Sequence, residues 1–168
     1  MPDCLNVPAD LLSGVFGAAA AQIRGSLSDA GAVVSLLIDE YGEECLLSGA
    51  VEACLEQLEF LTSATNRNSA AVVELWLSLA RQQDPVNGIS YFVEAVQRAV
   101  TNETVAGPAR RHATLEHSPT RGLCVAGISF LAGLLQWRAD LSGQEPELLA
   151  RQTCLMLAAT AGPEIPPG

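Results

Sequence analysis

The sequence predicts an all-α fold: a single-domain bundle of about seven or eight helices around a buried apolar central helix at residues 123–137. Two observations support this fold class. Apolar residues recur at spacings of three and four along the chain, which is the helical period, and no segment alternates as a half-buried strand would. The prolines lie at the edges of these segments, where helices tolerate them.

Three helices are predicted in the N-terminal part of the chain. The first spans about residues 8–24. Either Ser28 or Asp29 is expected to cap the second helix, and Gly42 is expected to end it, because these residue types are common at such positions. The third helix, about residues 43–62, has the clearest amphipathic pattern. Its apolar face carries Leu47, Val51, Cys54, Leu55, Leu58 and Leu61.

Four further helices are predicted: one from Ser69, one over about 89–100, the central helix over 123–137, and a last one over about 146–159. The central segment is apolar on nearly every side, so we expect other helices to surround it. Residues 1–161 are expected to form one domain, and the tail 162–168, with its three prolines, is expected to be disordered. Side chains expected in the core include Leu55, Leu58, Trp76, Phe92, Val96, Leu148, Leu149, Leu155 and Met156.

The composition limits the classes of partner. The net charge is −10, with nine Arg and no Lys, which argues against binding to nucleic acid or to an anionic membrane. Apolar residues make up 49% without counting Gly, and charged residues 17%, against a usual ~25%. This apolar surplus predicts self-association or an apolar pocket, or it reflects an Ala-rich helical protein whose small side chains raise the apolar count. No apolar run reaches the ~18 residues of a membrane span, so no transmembrane helix is expected.

The cysteines are interpreted as reduced thiols. Five are present, an odd number without any C-x-x-C spacing, and the N-terminus has no signal-peptide pattern. These observations predict a cytoplasmic protein with mostly buried thiols. Cys54, Cys124 and Cys154 lie on apolar stretches, whereas Cys4 and Cys45 are the better candidates for exposed thiols. Their wide spacing does not suit an iron–sulfur cluster, and we predict no metal and no cofactor.

Charge patterning suggests a surface for a macromolecular partner. Glu52, Glu56 and Glu59 share the polar face of the third helix, and no basic residue occurs between Arg24 and Arg67. A weaker basic cluster follows later in the chain, formed by Arg110, Arg111, His112 and Arg121. Such patches pair within a fold, across a dimer or with a partner, or they are simply solvated.

The first functional hypothesis is therefore a non-enzymatic interaction or adaptor protein that forms a homo-oligomer and binds another protein through its acidic helix face. The alternative is a sensor-like helical domain that binds a small apolar ligand near four aromatic residues: Trp76, Phe92, Phe130 and Trp137. A second alternative is an enzyme with a polar site at His112 and Glu116, which lie four residues apart and share a helix face. We favour a protein without enzymatic activity because no catalytic motif occurs in the sequence.

Overall fold

The fold is described by a computed structural model that covers residues 7–83, 92–94, 96–97 and 121–161. Six helices lie in these ranges: α1 (Ala9–Ile23), α2 (Leu27–Tyr41), α3 (Glu43–Thr65), α4 (Ser69–Gln83), α5 (Arg121–Ser142) and α6 (Pro146–Ala161). Residues 92–94 and 96–97 are also helical. The described ranges contain no strand, and the all-α single-domain bundle is confirmed. The predicted helix over 89–100 lies mostly outside the described residues, as does the tail 162–168.

Short turns separate the first four helices. Gly42 alone links α2 to α3, and its φ of 88° is a conformation that side chains with a Cβ rarely adopt. Asn66 ends α3 in the left-handed region with a φ of 54°, which Asn tolerates better than most residues. The predicted cap at Ser28 or Asp29 is wrong, since α2 already begins at Leu27. The chain reverses at Gly25, so the next helix begins almost at once.

Two helices share the centre of the bundle. Helix α5 packs against α1, α2, α3 and α6, which agrees with the central position predicted for residues 123–137. Helix α1 packs against α2, α3, α5 and α6, a second central position that the sequence did not predict. The helices approach closely at glycines. A Cβ on Gly14 would lie 2.6 Å from Leu37 Cδ2, and one on Gly127 would lie 2.7 Å from Phe92 Cε2.

Helix α5 is longer than predicted and extends to Ser142. It is long and apolar enough to cross a membrane by length and composition alone. However, 61% of its most apolar window is buried inside the protein, which is typical of a core helix. Its buried side chains include Ile128, Phe130, Leu131, Leu134 and Leu135.

Helix α6 runs antiparallel to α1. Ser13 Oγ donates a hydrogen bond to the backbone oxygen of Cys154 at 2.9 Å, and Arg24 forms an ion pair with Glu147 at 3.5 Å. The small residues on this side of α1 bring the two helices together, and a Cβ on Gly17 would lie 3.6 Å from Cys154 Sγ.

The prediction that Leu148, Leu155 and Met156 belong to the core is wrong, because all three are exposed. Helix α6 faces the bundle with its other side, where Leu149 and Ala150 are buried and Leu157 packs against the core. Leu58, Phe92 and Val96 are buried as predicted, and Leu55 and Trp76 are partly buried.

Candidate functional site

The predicted acidic residues lie on one side of α3. Glu56 and Glu59 are exposed, whereas Glu52 is half-buried, with its Oε2 atom inaccessible to solvent. The three residues are separated by four and three positions, so their carboxylates are neighbours on the helix surface. Partial desolvation raises the pKa of Glu56, and the negative charges of Glu52 and Glu59 raise it further. We call Glu52, Glu56 and Glu59 the acidic face.

An arginine from α5 borders the acidic face, and sequence reasoning did not identify it. The guanidinium carbon of Arg138 lies 4.0 Å from the ring centroid of Phe60, which is the geometry of a cation–π contact. The same side chain donates a hydrogen bond from Nη1 to Oε1 of Gln57 at 2.9 Å. Because Gln57 is only 2% exposed, this bond satisfies a buried amide oxygen. Arg138 therefore joins α5 to α3 at the edge of the acidic face.

The predicted basic cluster is only partly described. Arg110, Arg111 and His112 lie outside the described residues, as does Glu116, so the proposed enzyme site is not described. Arg121 hydrogen-bonds to Ser35 Oγ and, at 3.2 Å, to the backbone oxygen of Gly31. These hydrogen bonds join the start of α5 to α2, and neither of them involves the acidic face.

Three of the four predicted aromatic residues come together. Phe130 makes an edge-to-face contact with Trp76, with ring centroids 5.5 Å apart, and it also contacts Phe92 at 6.0 Å. Phe92 and Phe130 are buried, and Trp76 is partly buried. Trp137 packs separately against the core and is also partly buried. Direct ring contacts of this kind are typical of core packing, and an apolar ligand pocket at these residues stays a prediction.

The cysteines differ in chemical state. Cys54, Cys124 and Cys154 are free thiols. Burial raises the pKa of Cys54 well above its ordinary value, and burial together with the nearby charge of Glu43 raises the pKa of Cys124 to about 12. Both thiols therefore stay protonated at neutral pH and are poor nucleophiles. Cys154 is half-buried, and its Sγ lies 3.3 Å from Ser13 Oγ.

The structure contradicts the prediction that Cys45 is an exposed, reduced thiol. It is 3% exposed and disulfide-bonded. Its position in the first turn of α3 lies on the side that faces the core, which explains the burial. The other candidate for an exposed thiol, Cys4, lies outside the described residues. The cytoplasmic location stays a prediction, although disulfides are uncommon in reducing compartments.

The described side chains of α3 offer a charged surface, the acidic face. No cluster of three or more His, Cys, Asp or Glu residues with metal-binding geometry occurs among them. Sequence patterning identified the acidic face because its members are close in the chain, whereas Arg138 is 81 residues from its partner Gln57. No protein-family model matches this chain, and neither does any curated protein or solved structure.

Proposed function

We propose that this protein is a non-enzymatic interaction protein whose acidic face binds a basic segment of another protein. The observation that carries the proposal is the geometry of the acidic face: Glu52, Glu56 and Glu59 lie on successive turns of α3, where their like charges repel one another. Partial burial, and then the charges of Glu52 and Glu59, raise the pKa of Glu56. Like charges on successive helical turns destabilise a fold by about 0.2–0.5 kcal/mol per pair. A bound cation would neutralise the repulsion between these carboxylates. The free energy recovered in this way would contribute to binding.

The border of the acidic face also suits a peptide partner. Phe60 is exposed on the same helix and already accepts a guanidinium on its ring, that of Arg138. Its neighbours Glu56 and Glu59 are exposed and form no ion pair within the described ranges. Exposed carboxylates favour an Arg-rich segment, because a guanidinium group binds a carboxylate through two parallel hydrogen bonds. The proposal also includes self-association, which the apolar surplus of the composition supports.

The test compares two variants that each lose three carboxylates. One is Glu52→Gln, Glu56→Gln and Glu59→Gln. The matched control is Asp39→Asn, Glu74→Gln and Glu145→Gln, which changes three exposed carboxylates on or beside other helices. Binding of a short Arg-rich peptide is measured by calorimetry at two ionic strengths, since exposed charge pairs weaken with salt.

We expect the acidic-face variant to bind the peptide at least about tenfold more weakly than the control, a difference of about 1.4 kcal/mol. Equal binding by both variants would show that only the net charge attracts the peptide, and the acidic face would then have no specific role. Circular dichroism of both variants checks that the helices are intact.

A further inference from the structure

Helix α6 presents an apolar face to solvent. Leu148 is 51% exposed, Leu155 67% and Met156 71%. Together with the exposed residues Gln152 and Ala159, they fall within an arc of about 100° on this helix. We call these five residues the α6 face. Within the described ranges, α6 packs against α1 and α5 with its opposite side, and the α6 face remains open.

We infer that the α6 face is the surface through which two copies of this chain form a symmetric dimer. The inference rests on the proposed self-association and identifies its interface. It is independent of the proposal that the acidic face binds a basic segment. Contiguous exposed apolar side chains on one helix commonly mark an interaction surface, whereas single exposed leucines do not. A dimer with twofold symmetry requires a surface that is complementary to itself.

The α6 face meets that requirement in an antiparallel arrangement. When two copies of α6 cross at Gln152, Leu148 of one copy lies near Met156 of the other, and Leu155 packs beside them. Gln152 then faces Gln152 of the second copy. An amide both donates and accepts hydrogen bonds, so two identical glutamines satisfy each other. No polar group on the face is left without a complementary one.

Charge favours a second copy at this face over other faces. Each copy carries a net charge of −10, so two copies repel each other at most orientations. From Leu148 to Ala161, however, α6 contains no carboxylate, and its one charged residue is Arg151. The acidic face lies on α3, which is not among the helices that α6 packs against. Contact through the α6 face therefore keeps the two acidic faces out of the interface.

The expected dimer is reversible. A helix of 16 residues is about 24 Å long. The contact between two such helices is small beside the ~800 Å² per partner of a typical stable interface. We therefore expect a concentration-dependent equilibrium, which light scattering coupled to gel filtration detects over a dilution series of the full chain.

The decisive variant is Leu155→Glu, and its matched control is Leu36→Glu on α2. Both leucines are 67% exposed, so each change adds one negative charge at an equally exposed helix position. We expect Leu155→Glu to raise the dimer dissociation constant about 100-fold or more, because the symmetry introduces the charge twice. Leu36→Glu should leave the dimer intact. Equal dissociation by both variants, or by neither, would overturn the inference.

A cross-link tests the geometry. In Gln152→Cys the two new thiols meet at the twofold axis, so mild oxidation should yield a covalent dimer linked through residue 152, identified by peptide mass spectrometry. Gln136→Cys, an exposed site on α5, is the control and should remain uncross-linked. A wild-type chain that stays monomeric at every concentration would overturn the inference. If that monomer bound neutral phosphatidylcholine vesicles and the Leu155→Glu variant did not, the α6 face would be a lipid-binding surface instead.

Discussion

Gly127 lies directly against the ring of Phe92: a Cβ on residue 127 would come within 2.7 Å of Cε2 and 3.0 Å of Cζ. The ring cannot move away easily, because Phe92 is fully buried and also contacts the ring of Phe130. Ala50 of α3 closes the site, with its Cβ 3.1 Å from the same position. The approach of α5 to α3 and Phe92 therefore depends on a residue without a side chain.

We expect Gly127→Ala to lower the free energy of unfolding by about 1–2 kcal/mol. Overpacking a core costs about 1–3 kcal/mol, and the better helix propensity of Ala returns about 0.5–1 kcal/mol. Urea unfolding followed by circular dichroism measures the change. The control is Gly17→Ala, whose Cβ would lie at an ordinary 3.6 Å from Cys154 Sγ and which should stabilise the fold. Equal stability of the two variants would contradict the close approach at Gly127.

Much of this fold could be predicted from sequence because its helices end at strong local signals. Gly42 and Pro146 were located from residue type alone. The end of α5 was missed because Arg138 and Asp140 interrupt the apolar pattern. In the structure Asp140 faces solvent, Arg138 reaches across to Gln57, and Ala139 between them is buried.

Other features depend on contacts between distant segments, which composition does not reveal. Leu155 faces solvent because the opposite side of α6 packs closely against the small residues of α1. The burial and oxidation of Cys45 likewise depend on tertiary structure. The acidic face was predictable as a set of neighbours on one helix, but its border with Arg138 was not.

Glu56→Gln should stabilise the fold at neutral pH. The pKa of Glu56 is raised in the folded state, so the folded protein binds more protons than the unfolded chain between the two pKa values. The stability contributed by this carboxyl is present below its unfolded pKa of about 4.3 and is lost as the pH rises through the folded pKa. The variant has no ionisable group at residue 56, so its stability does not fall in this way as the pH rises.

The expected gain at pH 7 comes first from relief of the partial desolvation of the Glu56 carboxylate, and then from about 0.2–0.5 kcal/mol for each like-charge pair removed. The gain should disappear below about pH 4, where wild-type Glu56 is protonated. Thermal unfolding from pH 3 to pH 8 provides the comparison. Glu74→Gln removes an exposed carboxylate from α4 and controls for net charge. A gain that persisted unchanged at pH 3 would indicate a cause other than the charge of Glu56.

Arg138→Met should destabilise the protein by about 1–3 kcal/mol, because it leaves the buried Oε1 of Gln57 without its hydrogen bond. The methionine keeps much of the apolar stem, so the loss is mainly polar. In a protein that already carries Gln57→Leu, Arg138→Met should lower the free energy of unfolding by less, since the buried amide oxygen is absent. A double-mutant cycle by urea unfolding measures this coupling. A coupling of zero would mean that the contact does not contribute to stability.

The thiols should react in a defined order with iodoacetamide at pH 8. Cys154 is half-buried and should react first among the described free cysteines. Burial and the charge of Glu43 raise the pKa of Cys124 to about 12, so this thiol should react far more slowly than an exposed thiol. Cys54 should also resist labelling until the protein unfolds.

Cys45 should be labelled only after a reductant is added, because it is disulfide-bonded. Peptide mass spectrometry assigns each site. The same labelling inside intact cells tests the compartment, since a Cys45 that is reduced there would favour the predicted cytoplasmic location. Rapid labelling of Cys45 in purified protein without a reductant would contradict the disulfide.

The pairing of α1 with α6 affects how the chain can fold during synthesis. Helix α1 is made well before α6, the helix that covers its small-residue side and begins only at Pro146. Until that segment leaves the ribosome, the side of α1 that bears Ser13 and Gly17 has no partner, and the early helices cannot reach their final packing. Translation interrupted before Pro146 would thus release a chain with an open apolar centre, a substrate for chaperones or proteases rather than a smaller folded protein.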